Sequence, residues 1–109
     1  MPTVYKVLGQ QNPAGNTMTT LYTVPSATSA VCSSISICNQ GSGNANVSVA
    51  ICQANTAVTA TQYIVKDATC VASDTIFLTL GVTLATTDTI RVNSNNANTS
   101  FAAFGSEIS

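Results

Sequence analysis

The chain has 109 residues, and seven of them are formally charged: Lys6, Lys66, Arg91, Asp67, Asp74, Asp88 and Glu107. A typical soluble chain is about a quarter charged, which would give about 27; three basic residues and a net charge of −1 cannot neutralise the phosphates that nucleic-acid binding requires. Histidine is absent, which removes the usual general base and the commonest metal ligand.

Thr, Val and Ile together number 35, and residues of this shape suit a pleated, half-buried surface. Taken in order, strands are expected near 3 to 8, 18 to 24, 29 to 38, 46 to 53, 61 to 66, 75 to 80, 88 to 93 and 99 to 105. Turns fall between them at clusters of Gly, Asn, Ser and Pro, such as Asn12-Pro13-Ala14-Gly15, Pro25-Ser26 and Gly41-Ser42-Gly43-Asn44. Eight short strands with this spacing predict an antiparallel, all-β, jelly-roll-like sandwich over 1–109 as one domain. No long helix is expected.

The third strand places Val31, Ile35 and Ile37 on one face and Cys32, Ser34, Ser36 and Cys38 on the other. The fourth repeats the pattern, with Val47, Val49 and Ile51 against Ser48, Ala50 and Cys52, and the intervening Gly-Ser-Gly-Asn reads as a hairpin. In later strands Ile76, Leu78 and Leu80 oppose Thr75, Phe77 and Thr79, while Ile90 and Val92 oppose Thr89 and Arg91. One register of the expected hairpin sets Cys32 opposite Cys52. These two are therefore the candidate disulfide pair, with Cys38 too far along its strand to compete and Cys70 in a loop. The alternative leaves all four cysteines as small buried thiols.

A weak echo joins Ser73-Asp74-Thr75-Ile76 to Thr87-Asp88-Thr89-Ile90. Two matched aspartates invite a calcium reading, but calcium wants six to eight oxygen ligands, and Asp at such a position commonly bonds nearby backbone in a turn. The cysteine spacing matches no zinc pattern, and neither lysine sits in a nucleophile motif. No catalytic, cofactor-binding or metal-binding residue is assigned, and no enzymatic activity is expected. No apolar run is long enough for a membrane helix, and the first residues lack the pattern of a signal peptide. Strand faces of Ser, Thr, Ala and Cys without charge also lack the lysines that keep sheet edges apart, which favours a surface covered by copies of the chain or by a partner.

The opening Met1 to Gln10, Thr19 to Pro25, Ser33 to Asn39, Leu78 to Leu84 and the closing Ser100 to Glu107 resemble short virion structural proteins of tailed bacteriophages, especially cyanophages. The resemblance spans nearly the whole chain and rests on structural motifs. It implies a homo-oligomeric β-sandwich, a trimer, on the virion surface after folding in the host cytoplasm. There it would act as a decoration or cement protein on the major capsid protein, or as a tail or fibre component. It carries over no catalytic residue and no cofactor. The chain departs from the family at Cys32, Cys52 and Cys70, where aliphatic residues are expected. A reducing cytosol keeps thiols free, so a Cys32–Cys52 bond would close only after lysis. A secreted sugar-binding module is the rival reading.

Overall fold

The computed structural model describes residues 3–109, apart from the side chain of Leu80. Met1 and Pro2, which open the phage-like motif, and the inward position expected of Leu80 lie outside the described residues. Among the described residues eight strands form: β1 (Thr3–Gln11), β2 (Thr19–Thr23), β3 (Ser29–Asn39), β4 (Ala45–Cys52), β5 (Tyr63–Cys70), β6 (Thr75–Leu84), β7 (Thr89–Ser94) and β8 (Thr99–Ile108). They pair into two antiparallel four-stranded sheets, ordered β1-β8-β3-β6 and β2-β7-β4-β5. The all-β sandwich expected from composition is thus what the chain adopts.

The pairing has one generating rule. Strands β1 with β8, β2 with β7, β3 with β6 and β4 with β5 are antiparallel partners, so the chain is a single long hairpin, closed by residues 53–62 and rolled into two layers, which is jelly-roll topology. Where the hairpin changes sheet, its two arms stay hydrogen-bonded. Asn16 N–H donates to the Ser94 carbonyl, Thr87 N–H to that of Val24, and Ser73 N–H to that of Gly41, at 2.7, 3.1 and 3.2 Å.

This rule overturns the hairpin expected between residues 38 and 46. Strands β3 and β4 lie in different sheets, and residues 40–44 form a corner between them. Buried Asn39 fixes that corner, donating to the carbonyls of Gly43 and Cys70 at 2.8 and 3.1 Å and accepting the Gly41 N–H at 3.0 Å. The register argument for a Cys32–Cys52 bond falls with the hairpin: Cys32 pairs with Val82 and Gly105, Cys52 pairs with Thr89, and all four cysteines are free.

A second correction concerns parity in β3. The β3–β8 ladder slips between Cys32 and Ser34, which pair with the adjacent Gly105 and Phe104, so Ser33 is the extra residue of a β-bulge, and a bulge reverses which residues face inward. In the β3–β6 ladder the same step is answered by an extra residue on β6, between Val82 and Thr79. Ala30 and Cys32 before it, and Ile35 and Ile37 after it, are buried, while Val31 is only half-buried. The inner faces otherwise follow the expected alternation: Val47, Val49, Ile90 and Val92 join Phe101, Leu21 and Val24 in the core, and Ile51, Ile76 and Leu78 pack against it. Ala50 and Cys52, expected on an open face, are fully buried as well. Residues 53–62 fold back over them, held by Arg91, whose guanidinium donates to the Thr56 carbonyl at 3.2 Å and to Asn55 Oδ1.

The two echoed aspartates end corners. Ser73 and Thr87 take left-handed φ values of 58° and 71° at matched turn positions. Asp74 accepts the N–H of Thr75 at 2.8 Å, and Asp88 accepts those of Ala54 and Ala85 at 2.8 and 2.9 Å. The turn role expected of them is what they perform, through neighbours other than the residue two positions on.

A charge-free sheet face as the candidate functional site

The outward face of the β1-β8-β3-β6 sheet can be built row by row from its register. Tyr5, Ser106, Val31 and Thr83 form one row; Val7, Phe104, Ser34 and Thr79 the next; then Gln10, Ala102, Ser36 and Phe77; and Ser100, Cys38 and Thr75 the last. Small side chains occupy the middle columns of the lower rows, and larger ones stand on the edge strands. The result is a shallow trough, and at its lower end lies a groove of about 320 Å³ lined by Gln10, Gln11, Asn12, Ser36, Cys38 and Ser100, among others. Asn12 and Gln40 both donate to the Ser100 hydroxyl, at 3.3 and 3.0 Å, which ties the groove's rim to its floor.

No charged residue belongs to any of these rows. Each of the seven charges has an intramolecular partner elsewhere: Lys6 with Glu107 at 3.1 Å and Lys66 with Asp67 at 2.9 Å, Arg91 with the 53–62 segment, and Asp74 and Asp88 with corner amides. The Lys6–Glu107 pair faces the other sheet, since Glu107 also accepts the hydroxyl of Tyr22 on β2. These hydrogen bonds hold the Glu107 carboxyl below the usual carboxylate range, with Tyr22 the larger cause and Lys6 the second. Burial, reinforced by Glu107, pushes the Tyr22 phenol up.

Exposure on this face is unusual for its chemistry. Tyr5 is 84% exposed and Phe77 71%. Both lie in strands and point outward, which for Phe77 the alternation of Thr75, Phe77 and Thr79 against Ile76 and Leu78 already set. Cys38 is half-buried on the trough floor. Cys32, Cys52 and Cys70 lie in the interior, where burial pushes the Cys32 and Cys70 thiols up. The Cys70 sulfur sits 3.6 Å from the Asp74 carbonyl oxygen, at the end of β5 and not in the loop expected there. Among the described residues no cluster of three or more His, Cys, Asp or Glu is placed to hold a metal ion.

No family model matches the chain, and no curated protein is recognisably similar to it in sequence. In fold it is similar to a chain from the structure of infectious bursal disease virus, Gx strain. The TM-score is 0.53 at 12% identity, over 97% of this chain and 31% of that one. The chain therefore corresponds to about a third of that viral polypeptide, and the likeness is one of fold.

Proposed function

We propose that the chain is a non-enzymatic structural protein of a virus particle, of the tailed-phage kind its motifs resemble. In this reading it assembles into trimers on the virion surface after folding in the host cytoplasm, and reinforces contacts between subunits of the major capsid protein as a decoration or cement protein. The observation that carries the reading is the four-stranded outer face without a single charge. A small domain that stays dispersed usually needs about 25 to 35% charged surface, and broad neutral sheet faces invite coverage. The fold likeness to a chain of a virus structure supports a sandwich suited to such a shell. It does not supply the partner.

The test is incorporation into particles. Ser34→Glu and Ala102→Glu place a carboxylate in the trough without touching the core. If the face docks on the capsid, wild-type protein is present at hundreds of copies per particle, and the two variants, folded by thermal melt, are lost from it. A handful of copies at one vertex would replace decoration with a tail or fibre role. Absence from particles would overturn the virion reading. The groove beside Phe77, with an exposed aromatic ring and amide side chains, favours a sugar-binding module as second reading, and a glycan array with Phe77→Ala as control decides it.

A further inference from the structure

A β-sandwich of two open sheets has four edge strands, and natural sheets guard such edges with charge, bulges, short length or a covering segment. Three of the four are guarded here. Strand β2 is five residues long and slips register beside Leu21. Strand β5 slips twice, carries Lys66 and Asp67 on its exposed side, and takes a left-handed φ of 53° at Asp67. Strand β6 slips between Thr79 and Val82. Strand β1 is different over Thr3–Val7, where it runs in unbroken register against Ile108–Phe104, with its first irregularity only after Val7.

That stretch is also where the exposed hydrophobic side chains gather. Val4, Tyr5 and Val7 are 52%, 84% and 48% exposed, three of the six large hydrophobics in that state among the described residues. The one residue able to act as a gatekeeper, Lys6, is drawn back onto Glu107 of the neighbouring strand at 3.1 Å, so its charge is neutralised within the molecule.

We infer that the Thr3–Val7 edge pairs with the same edge of a second copy, antiparallel about a two-fold axis at Tyr5, which joins two β1-β8-β3-β6 sheets into one of eight strands. The inference rests on the self-association proposed above; a closed three-fold trimer holds no two-fold contact, so the Thr3–Val7 edge is a contact additional to the trimer's own. A strand edge read antiparallel is its own complement, which is the defining property of an isologous contact. With Tyr5 opposite Tyr5, Val7 faces Thr3 and Lys6 faces Val4, so neither lysine stands directly opposite its copy. Like charges directly opposed would destabilise the pair. Covering the exposed parts of Val4, Tyr5 and Val7 removes roughly 330 Å² per copy, under about 700 Å² in total, which makes this a small, weak contact of the kind that is reinforced by further contacts in an assembly. A contact of that size is populated only at high protein concentration, about 0.1 to 1 mM. A partner with a charged edge would find nothing to complement, because the local charge is already spent inside each copy.

Two variants and one measurement test it. In a Cys38→Ser background, Tyr5→Cys sets two thiols opposite each other across the axis, and mild oxidation should yield a covalent pair of chains on a non-reducing gel. Phe77→Cys, exposed on the other edge of the same sheet, should yield none. Val7→Lys, which restores a guard, should lower the two-fold species by at least tenfold in sedimentation velocity while leaving the melting temperature within a few degrees. A self-associating protein whose Tyr5→Cys variant stays unlinked, and whose Val7→Lys variant sediments like wild type, would overturn the edge contact and leave self-assembly standing. A wild-type protein monomeric at every concentration would overturn both.

Discussion

The hydroxyl of Tyr22 on β2 donates to Glu107 on β8, and the second oxygen of that carboxylate takes Lys6 of β1. One acidic side chain thereby ties three strands and both sheets at the end of the sandwich where β1 is most exposed. Because the native carboxyl titrates below its ordinary value of 4.5, its contribution is complete above that value and is lost as pH falls through the native one. The phenol, held above its ordinary value of 10.0, contributes below pH 10 and loses that contribution as the solution becomes more alkaline. Thermal melts should therefore show a plateau between about pH 5 and 10 with decline on both sides. Glu107→Gln should flatten the acid limb, and Tyr22→Phe should cost about 1 to 3 kcal/mol at pH 7. An acid limb unchanged in Glu107→Gln would refute the assignment.

Two glycines sit where no side chain fits. A Cβ on Gly105 would meet the Val31 carbonyl oxygen at 1.9 Å, and one on Gly9 would meet that of Leu21 at 2.0 Å. Backbone cannot move aside as a flexible side chain does, so Gly105→Ala and Gly9→Ala should each destabilise by about 3 kcal/mol or leave the protein insoluble. Gly43, with nothing within 4 Å of its Cβ position, should accept alanine within about 0.5 kcal/mol. Denaturant titration of the three variants is sufficient.

Thiol labelling should separate the cysteines cleanly. Cys38 lies half-buried on the trough floor and should react in the native protein, whereas the fully buried Cys32, Cys52 and Cys70 should label only after unfolding. Peptide mapping of purified protein should find four free thiols. Recovery of a Cys32–Cys52 peptide would contradict the two-sheet placement of those strands.

Asp88 links the β6–β7 corner to the 53–62 segment through two backbone amides. Asp88→Ala removes both acceptors and should cost about 1 to 3 kcal/mol, with the Ala54 amide exchanging its hydrogen far faster than in wild type. Asp74→Ala removes a single local bond and should cost less than half as much. Equal losses would mean that Asp88 does not anchor the segment.

Strand number and fold class were legible because β-branched runs and turn clusters alternate along the chain, and because Val47, Val49, Ile90 and Val92 keep strict parity. What stayed hidden was non-local. The bulge at Ser33 is marked by no glycine or proline, so Val31 and Cys32 read the wrong way round. The Gly-Ser-Gly-Asn stretch carries the residues of a hairpin turn but serves as a corner, because Asn39 spends its amide on Gly43 and Cys70, the latter 31 residues away. The charge-free face was visible as composition. Of its aromatic edges, Phe77 was legible from the parity of its strand, whereas Tyr5 was not, because Thr3-Val4-Tyr5-Lys6-Val7 has no clean apolar alternation to mark its outward residues.

The rolled hairpin also sets the order in which the chain can become a protein. Only β4 and β5 are joined by a short connection; every other ladder waits for a strand further away, and β1 waits for β8, the last of the eight. Folding should therefore begin at the closed end around residues 45–70 and zip outward, slowly, as all-β chains rich in distant pairings do. During synthesis the first of these eight strands to leave the ribosome is the last of them to find its neighbour, and it is the strand with the least guarded edge. High expression levels should consequently favour aggregates seeded by nascent β1, and slowing translation or lowering temperature should recover soluble protein without any change in the native fold.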